Sequence, residues 1–278
     1  MTGGLGGGAG GDSPAPKMAQ VMGILNCTPD SFSDGGLTFT TTSAVAAGVR
    51  MVADGAAWLD IGGESSRPGA ITVPADEEQQ RVVPVIRALR DAGVEQPLSI
   101  DTTKVAVARA ALTAGATAIN DISAGEDPAL LRLAADAGCA LILMHRQGTA
   151  ATMQRQPSYR DVVAEVTEFL ALRLAAAERA GVPRSRLFAD PGIGFGKTVA
   201  HNLALLRALP QLRAALGVPL VVGLSRKRFL AATAGGGYPA SDAVGHPLHA
   251  LIAPWCDLLR VHDVVGTMAA VRAAALPA

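Results

Sequence analysis

Two apolar patterns alternate along the chain. Short apolar runs suited to strands buried on both faces are separated by longer Ala- and Leu-rich stretches whose apolar positions repeat with helical period. The short runs predict strands over 21–25, 58–61, 98–100, 117–119, 140–143, 187–189, 219–222 and 258–261. The periodic stretches predict helices over 43–53, 76–92, 104–114, 128–137, 161–180, 202–216 and 263–275. Ser43 and Asp161 stand where N-caps belong, and Gly93, Gly115, Gly138 and Gly181 fall just past helix ends. Eight strands alternating with helices is the count of a closed (β/α)₈ barrel, an α/β fold in a single domain. A doubly wound open sheet is the alternative.

In such a barrel the chemistry gathers on the loops that follow the strands. The residues just after each predicted strand are Asn26, Gly62-Gly63-Glu64, Asp101, Asn120-Asp121, Met144-His145, Asp190, Ser225-Arg226-Lys227, and Arg260 with His262. Each has a structural explanation when taken alone. Asp101 and Asp121 could cap the following helices, Asp190-Pro191-Gly192 could be a turn, and Asn26 could hold a loop. Their recurrence at one end of nearly every strand favours a shared site.

Three loops carry more. Asn26-Cys27-Thr28-Pro29-Asp30-Ser31-Phe32-Ser33-Asp34-Gly35-Gly36 is too long for a tight turn and rich in oxygen ligands, which reads as a mobile lid. Gly62-Gly63-Glu64-Ser65-Ser66-Arg67-Pro68-Gly69 offers backbone N–H groups, hydroxyls and a guanidinium, which together suit an oxyanion or phosphate. Asp190-Pro191-Gly192-Ile193-Gly194-Phe195-Gly196-Lys197-Thr198 ends like a nucleotide-binding loop. Pro191 stands where that motif needs its first glycine, so the nucleotide reading fails, and the glycines are read as allowing close backbone approach to a flat ligand.

Composition narrows the partners. The 278 residues are 49% hydrophobic and 17% charged, with 24 Lys plus Arg against 24 Asp plus Glu. That balance, without a basic cluster, argues against nucleic acid and against a membrane surface. No apolar run reaches the roughly 18 residues of a membrane span. Cys27, Cys139 and Cys256 are odd in number and widely spaced, so a reducing, cytoplasmic setting is expected. The glycine-rich stretch 1–17 reads as a flexible, disordered tail, and 18–278 as the barrel. There is no H-E-x-x-H and no G-x-S-x-G, so a metal, if used, should be a hard cation on oxygen ligands such as Mg²⁺. His145, His201 and His249 read as structural rather than catalytic, and Asp76-Glu77-Glu78 as the acidic first turn of its helix.

The segment from Met22 to Gly36 and Asp60-Ile61-Gly62-Gly63-Glu64-Ser65-Ser66-Arg67-Pro68-Gly69 closely resemble the two signature segments of the dihydropteroate synthase family. Ser99-Ile100-Asp101-Thr102, Ile119-Asn120-Asp121-Ile122, Leu143-Met144-His145, the loop from Asp190 to Lys197, Ser225-Arg226-Lys227 and Arg260-Val261-His262-Asp263-Val264 resemble its later blocks, in order. The resemblance implies a barrel enzyme, a transferase of folate biosynthesis. It would join 4-aminobenzoate to 6-hydroxymethyl-7,8-dihydropterin pyrophosphate, yielding 7,8-dihydropteroate and pyrophosphate.

Position by position, the resemblance implies pterin binding by Asp101, Asn120, Asp190 and Lys227, with Met144 and Phe195 beside them. It implies that Ser66, Arg67, Ser225, Arg260 and His262 surround the pyrophosphate and aminobenzoate, with Arg67, Lys227, Arg260 and His262 acting on the reaction. Asn26 matches the Mg²⁺ ligand, and Phe32 and Pro68 match loop residues that close over the aminobenzoate. Two other readings share the barrel: a non-catalytic pterin-binding paralogue and a pterin-dependent methyltransferase. Over 235–257 the family's Ala-rich helix is interrupted by Pro247, Pro254 and Trp255, which leaves the homodimer that helix serves as one possibility.

Overall fold

A computed structural model describes residues 18–28, 40–65, 70, 72–149, 152–153, 155–233 and 241–275. The expected tail over 1–17 and most of the expected lid lie outside these residues. Strands β1 (Gln20–Asn26), β2 (Trp58–Gly62), β3 (Leu98–Asp101), β4 (Ala118–Asp121), β5 (Ala140–Met144), β6 (Leu187–Asp190), β7 (Val221–Gly223) and β8 (Leu258–Val261) form one parallel sheet. Its order is β6-β5-β4-β3-β2-β1-β8-β7. The order never reverses direction, and a parallel bridge from Ala189 to Leu220 joins β6 to the entry of β7. The sheet therefore closes as a barrel, and the open-sheet alternative fails.

The helices are α1 (Thr41–Ala53), α2 (Ala75–Asp91), α3 (Val105–Thr113), α4 (Pro128–Ala137), α5 (Val162–Arg179), α6 (Val199–Arg207), α7 (Leu209–Leu216), α8 (Arg228–Thr233), α9 (Asp242–Ile252) and α10 (Val264–Ala274). Asp161 caps α5 by accepting from the amides of Val163 and Ala164. Thr40, not Ser43, caps α1; Ser43 is the third helical residue and completes a reciprocal capping box. The stretch expected as one helix over 202–216 is two, because Pro210 has no N–H to continue the ladder and sits instead in the first turn of α7. The reverse correction applies to α9, which runs through Pro247 with Gly245, His249 and Ile252 buried. The proline removes one backbone hydrogen bond, which burial of that face outweighs. Pro254 falls in a short 3₁₀ turn before β8.

Alternation along the strands separates two cores. Outward residues such as Leu59, Ile61, Ile100 and Leu259 pack under the helices in one large cluster. Inward residues at the strand starts, Met22, Ile142, Val221 and Leu258, form a smaller plug with Trp58 and Phe188, whose rings meet edge to face at 5.5 Å. Two residues further along the same inward faces the side chains become charged: Trp58 gives way to Asp60, Phe188 to Asp190 and Leu258 to Arg260, while on β3 the buried Ser99 is followed by Asp101. The barrel is thus dry at its base and charged toward its mouth. Among the described residues no helix is long and apolar enough to cross a membrane.

His249 is buried in α9 with neither ring nitrogen partnered, and burial, aided by His246 and opposed by Asp242, draws its pKa down to about 4. The unfolded chain takes up this proton near pH 6.5 and the folded chain does not, so stability falls as pH drops from about 6.5 toward about 4. His249→Leu should remove a loss of order 2 kcal/mol over that interval. Urea unfolding of both proteins across that range checks it, and parallel pH dependences would refute it.

Candidate active site

Arg260 organises the charged layer. Its side chain crosses the barrel from β8, with Nε 2.5 Å from Asp60 Oδ2 on β2 and Nη2 2.6 Å from Asp101 Oδ2 on β3. Asn120 on β4 donates its amide to the same Asp60 oxygen at 3.0 Å. The two carboxylates hold the Arg260 pKa above its ordinary value despite burial. Burial raises Asp101 to about 7, with Arg260 opposing and the Asp60, Glu78 and Asp121 carboxylates reinforcing the rise.

The opposite wall comes from β6 and β7. Asp190 is buried at the end of β6, where burial raises its pKa and Lys227, chief among several opposing groups, pulls it back. Its Oδ1 accepts from the Gly192 amide at 2.7 Å, so the turn-forming reading of Asp190 is also correct. Lys227 donates to the Ile193 carbonyl, and its ammonium lies 4.6 Å over the Phe195 ring. Burial lowers Lys227 to about 8, with Asp190 resisting and Arg260 assisting. Met144 ends β5 in register with Asp190 and is buried.

A second cluster lies at the β1 and β8 exits. His262 Nε2 is 3.4 Å from the Asn26 amide nitrogen, and His262 Nδ1 is 2.8 Å from Ser225 Oγ. Ser225 also donates to Asp242, which accepts from Arg226 Nε at 2.9 Å. Arg226 adopts φ +57, the left-handed region disfavoured for a residue with a side chain. Arg226 is exposed while Ser225 on one side of it is buried and Lys227 on the other reaches the Asp190 loop.

The strand-end residues expected from sequence therefore converge: Asp101, Asn120, Met144, Asp190, Phe195, Lys227 and Arg260 at the mouth of the barrel, and Asn26, Ser225 and His262 beside it. Ser66, Arg67, Pro68 and Phe32 lie outside the described residues. The capping reading fails for Asp101, since α3 begins at Val105 with Lys104 as its N-cap. It is replaced for Asp121, which braces its own loop through Ser123 and Gly125.

Sequence reasoning missed Asp60, which is wholly buried and joins Arg260 to Asn120. Its signal was a carboxylate on the inward face of a strand otherwise apolar there. It also missed that Glu78, in the acidic turn of α2, is buried and paired with Lys104 at 2.5 Å. Lys104 bonds Glu64 at the same distance, and Glu64 accepts from the Val73 amide at 2.8 Å, tying together the two ends of the 64–73 loop.

The pterin-binding enzyme family matches residues 22–262. The dihydropteroate synthase of Mycobacterium leprae is 47% identical over 264 residues, covering 91% of each chain. That of Escherichia coli is 43% identical over 255 residues, covering 91% of this chain and 89% of its own. Among solved structures, Xanthomonas albilineans dihydropteroate synthase with 4-aminobenzoic acid superposes with a TM-score of 0.85 at 49% identity, covering 92% of each chain. The same enzyme in complex with 7,8-dihydropteroate gives 0.82 at 46% identity, with the same coverage. With a charged barrel mouth built from the family's blocks and likeness along nearly its whole length, the chain belongs to the pterin-binding enzymes, within the dihydropteroate synthase family.

Proposed function

We propose that the protein joins 4-aminobenzoate to 6-hydroxymethyl-7,8-dihydropterin pyrophosphate, forming 7,8-dihydropteroate and releasing pyrophosphate in folate biosynthesis. The observation that carries this reading is the convergence of Asp101, Asn120, Asp190, Lys227 and Arg260 on the barrel mouth from β3, β4, β6, the turn after β7, and β8. A pterin edge presents ring and amino N–H donors beside carbonyl and ring-nitrogen acceptors. Buried carboxylates accept the first, and Asn120 and Lys227 answer the second. Met144 and Phe195 offer apolar surface to the flat ring. The 18–278 barrel acts as a single pterin-binding domain in a cytoplasmic protein.

In the reaction the C–O bond between the pterin methylene and the diphosphate breaks, and its electron pair leaves with the diphosphate. The lone pair of the aromatic amine forms the new C–N bond, and the nitrogen then gives up one of its two protons to the released pyrophosphate or to water, leaving a neutral secondary amine. Arg67, Lys227, Arg260 and His262 stabilise charge in this step, the first and last at the diphosphate, with Ser66 adding a hydroxyl donor and Ser225 orienting His262. Phe32 and Pro68 cover the aminobenzoate. Asn26 offers a carboxamide at the mouth, and among the described residues no carboxylate or histidine cluster able to hold a metal unaided is present. That donor set fits Mg²⁺, which keeps waters and takes phosphate oxygens. Held by Asn26, the cation would neutralise charge on the diphosphate.

Leu251, Trp255 and Val265 expose apolar side chains on α9, the turn after it and α10. These exposed apolar side chains support a homodimer, and Trp255→Asp should shift sedimentation from dimer to monomer; a parent protein already monomeric would refute the dimer.

With Mg²⁺, pyrophosphate release from the pterin substrate should depend on 4-aminobenzoate and yield dihydropteroate. Binding without release would instead indicate a non-catalytic paralogue. Methyl transfer from a reduced methyl-folate would indicate the methyltransferase. Arg67→Ala should lower kcat on the order of a hundredfold or more. Asp190→Ala should raise the pterin KM about tenfold or more through loss of a charged hydrogen-bond acceptor.

Asp101 must be ionised to accept from the pterin and is lost as pH falls through about 7. Lys227 must be protonated to donate and is lost as pH rises through about 8. A bell-shaped kcat/KM for the pterin with its maximum between these values is expected. Asp101→Asn should flatten the acid limb, and a parent profile flat through both limbs would contradict the assignment.

A further inference from the structure

The Gly196-Lys197-Thr198 sequence that resembles a nucleotide-binding loop has no place in the mechanism above, yet Lys197 is buried beside the site. After Asp190 the chain winds through three glycines in the left-handed region, Gly192 at φ 66, Gly194 at φ 84 and Gly196 at φ 62. A side chain at Gly192 would overlap the His145 carbonyl, and one at Gly196 the Gln147 carbonyl. Inside this coil sits the Lys197 ammonium. Its Nζ lies 2.9 Å from the Gly192 carbonyl, 3.0 Å from the Phe195 carbonyl and 2.9 Å from His145 Nδ1.

The hydrogen count is closed. An ammonium has three N–H donors, and three acceptors stand within 3.0 Å, with the His145 carbonyl a fourth and more distant one at 3.5 Å. His145 must then present the lone pair of Nδ1 and carry its proton on Nε2. Burial, helped by Lys197, lowers the His145 pKa to about 3, which keeps the ring neutral. Burial lowers Lys197 itself to about 7 against the pull of Asp190, but these three acceptors are matched in full only by the protonated amine. No N–H remains for a phosphate.

What Lys197 holds bears directly on the site. The residue whose carbonyl it binds, Gly192, gives its N–H to Asp190. The other carbonyl belongs to Phe195, whose ring lies under Lys227. We propose that Lys197 is a positioning residue that sets Asp190 and Phe195 for the pterin ring and takes no part in holding the pyrophosphate. This rests on the pterin-binding reading above.

The test is equilibrium binding by the full-length protein of two probes, 6-hydroxymethylpterin and inorganic pyrophosphate with Mg²⁺, for the parent, Lys197→Met and His145→Gln. Unfolding temperature is measured alongside. Lys197→Met should weaken pterin binding by about tenfold or more while pyrophosphate affinity stays within about twofold. His145→Gln, which alters one of the three acceptors, should weaken pterin binding less, in the same sense. Lower pyrophosphate affinity with pterin affinity intact would make Lys197 a phosphate ligand and overturn the proposal. A parallel loss of both would reduce it to a general structural role, and unchanged pterin affinity in the folded variants would also overturn it. If Lys197→Met does not fold, His145→Gln decides alone. Neither probe is turned over, so failure of the parent to bind the pterin at all would count against the functional reading itself.

Discussion

A guanidinium held between two buried carboxylates is the constraint on which the rest of the barrel mouth depends. Asp60 is wholly buried and Asp101 nearly so, and each ionised carboxylate taken from water costs several kcal/mol unless something nearby repays it. Arg260 repays both at once, because a guanidinium presents N–H donors along two edges and keeps its charge at any physiological pH. Remove that cation, and Asp101, whose pKa already stands near 7, would take up a proton and cease to be an acceptor. The same contact fixes geometry. Asp60, once bonded to Arg260, has an oxygen in place to receive the Asn120 amide, so residues on β2, β3, β4 and β8 are oriented by one interaction.

The opposite wall works by a related principle on a different scaffold. Strand ends are rigid, but Asp190 and Phe195 belong to a glycine-rich turn whose backbone bond from the Phe195 amide to the Gly192 carbonyl, at 3.1 Å, is too little to fix it in one shape. The Lys197 ammonium supplies the missing constraint from within, and Lys227 presses from the other side by bonding the Ile193 carbonyl. Two lysines, one at the end of the turn and one 34 residues from the carbonyl it bonds, thus clamp the turn between them. Asn202 adds a third point by accepting from the Gly194 amide at 2.8 Å, and Tyr159 a fourth by donating to the Gly196 carbonyl at 2.9 Å.

Most of this was legible in the sequence for a specific reason. In a parallel barrel the inward positions repeat every second residue, so an apolar run that ends in Asp, Asn or Arg announces both the strand and the site. Asp101, Asn120, Asp190 and Arg260 were read that way. Asp60 was not, because it lies within its strand, and its partner is 200 positions away. Lys197 was noticed only for a motif it does not serve, since local spacing cannot reveal that a side chain turns back to bond its own loop. The helices show the same limit from another side. Pro210 and Pro247 look alike as helix breakers, yet one divides α6 from α7 and the other is carried inside α9. Buried residues flank both, so propensity and burial alone do not tell the two apart.

The architecture also bears on why the transfer can proceed without a covalent enzyme intermediate. Cys27 directly follows Asn26 at the mouth, but burial, only partly offset by Arg81, pushes its thiol up to about 12. Cys139 and Cys256 are likewise raised, to about 11 and about 12, with burial again the main cause. Thiols so far from ionisation are poor nucleophiles at neutral pH. Lys197 has its three N–H groups committed, and Lys227 is engaged with a carbonyl and a ring face. An aromatic amine, by contrast, carries an unprotonated lone pair at neutral pH and needs only to be brought into line with the pterin methylene. What the barrel must provide is therefore a fixed place for the pterin and positive charge for the departing diphosphate. The rigid, charge-balanced layer around Arg260 suits the first task, and the Asn26, Ser225 and His262 cluster lies beside it, where the second would be met.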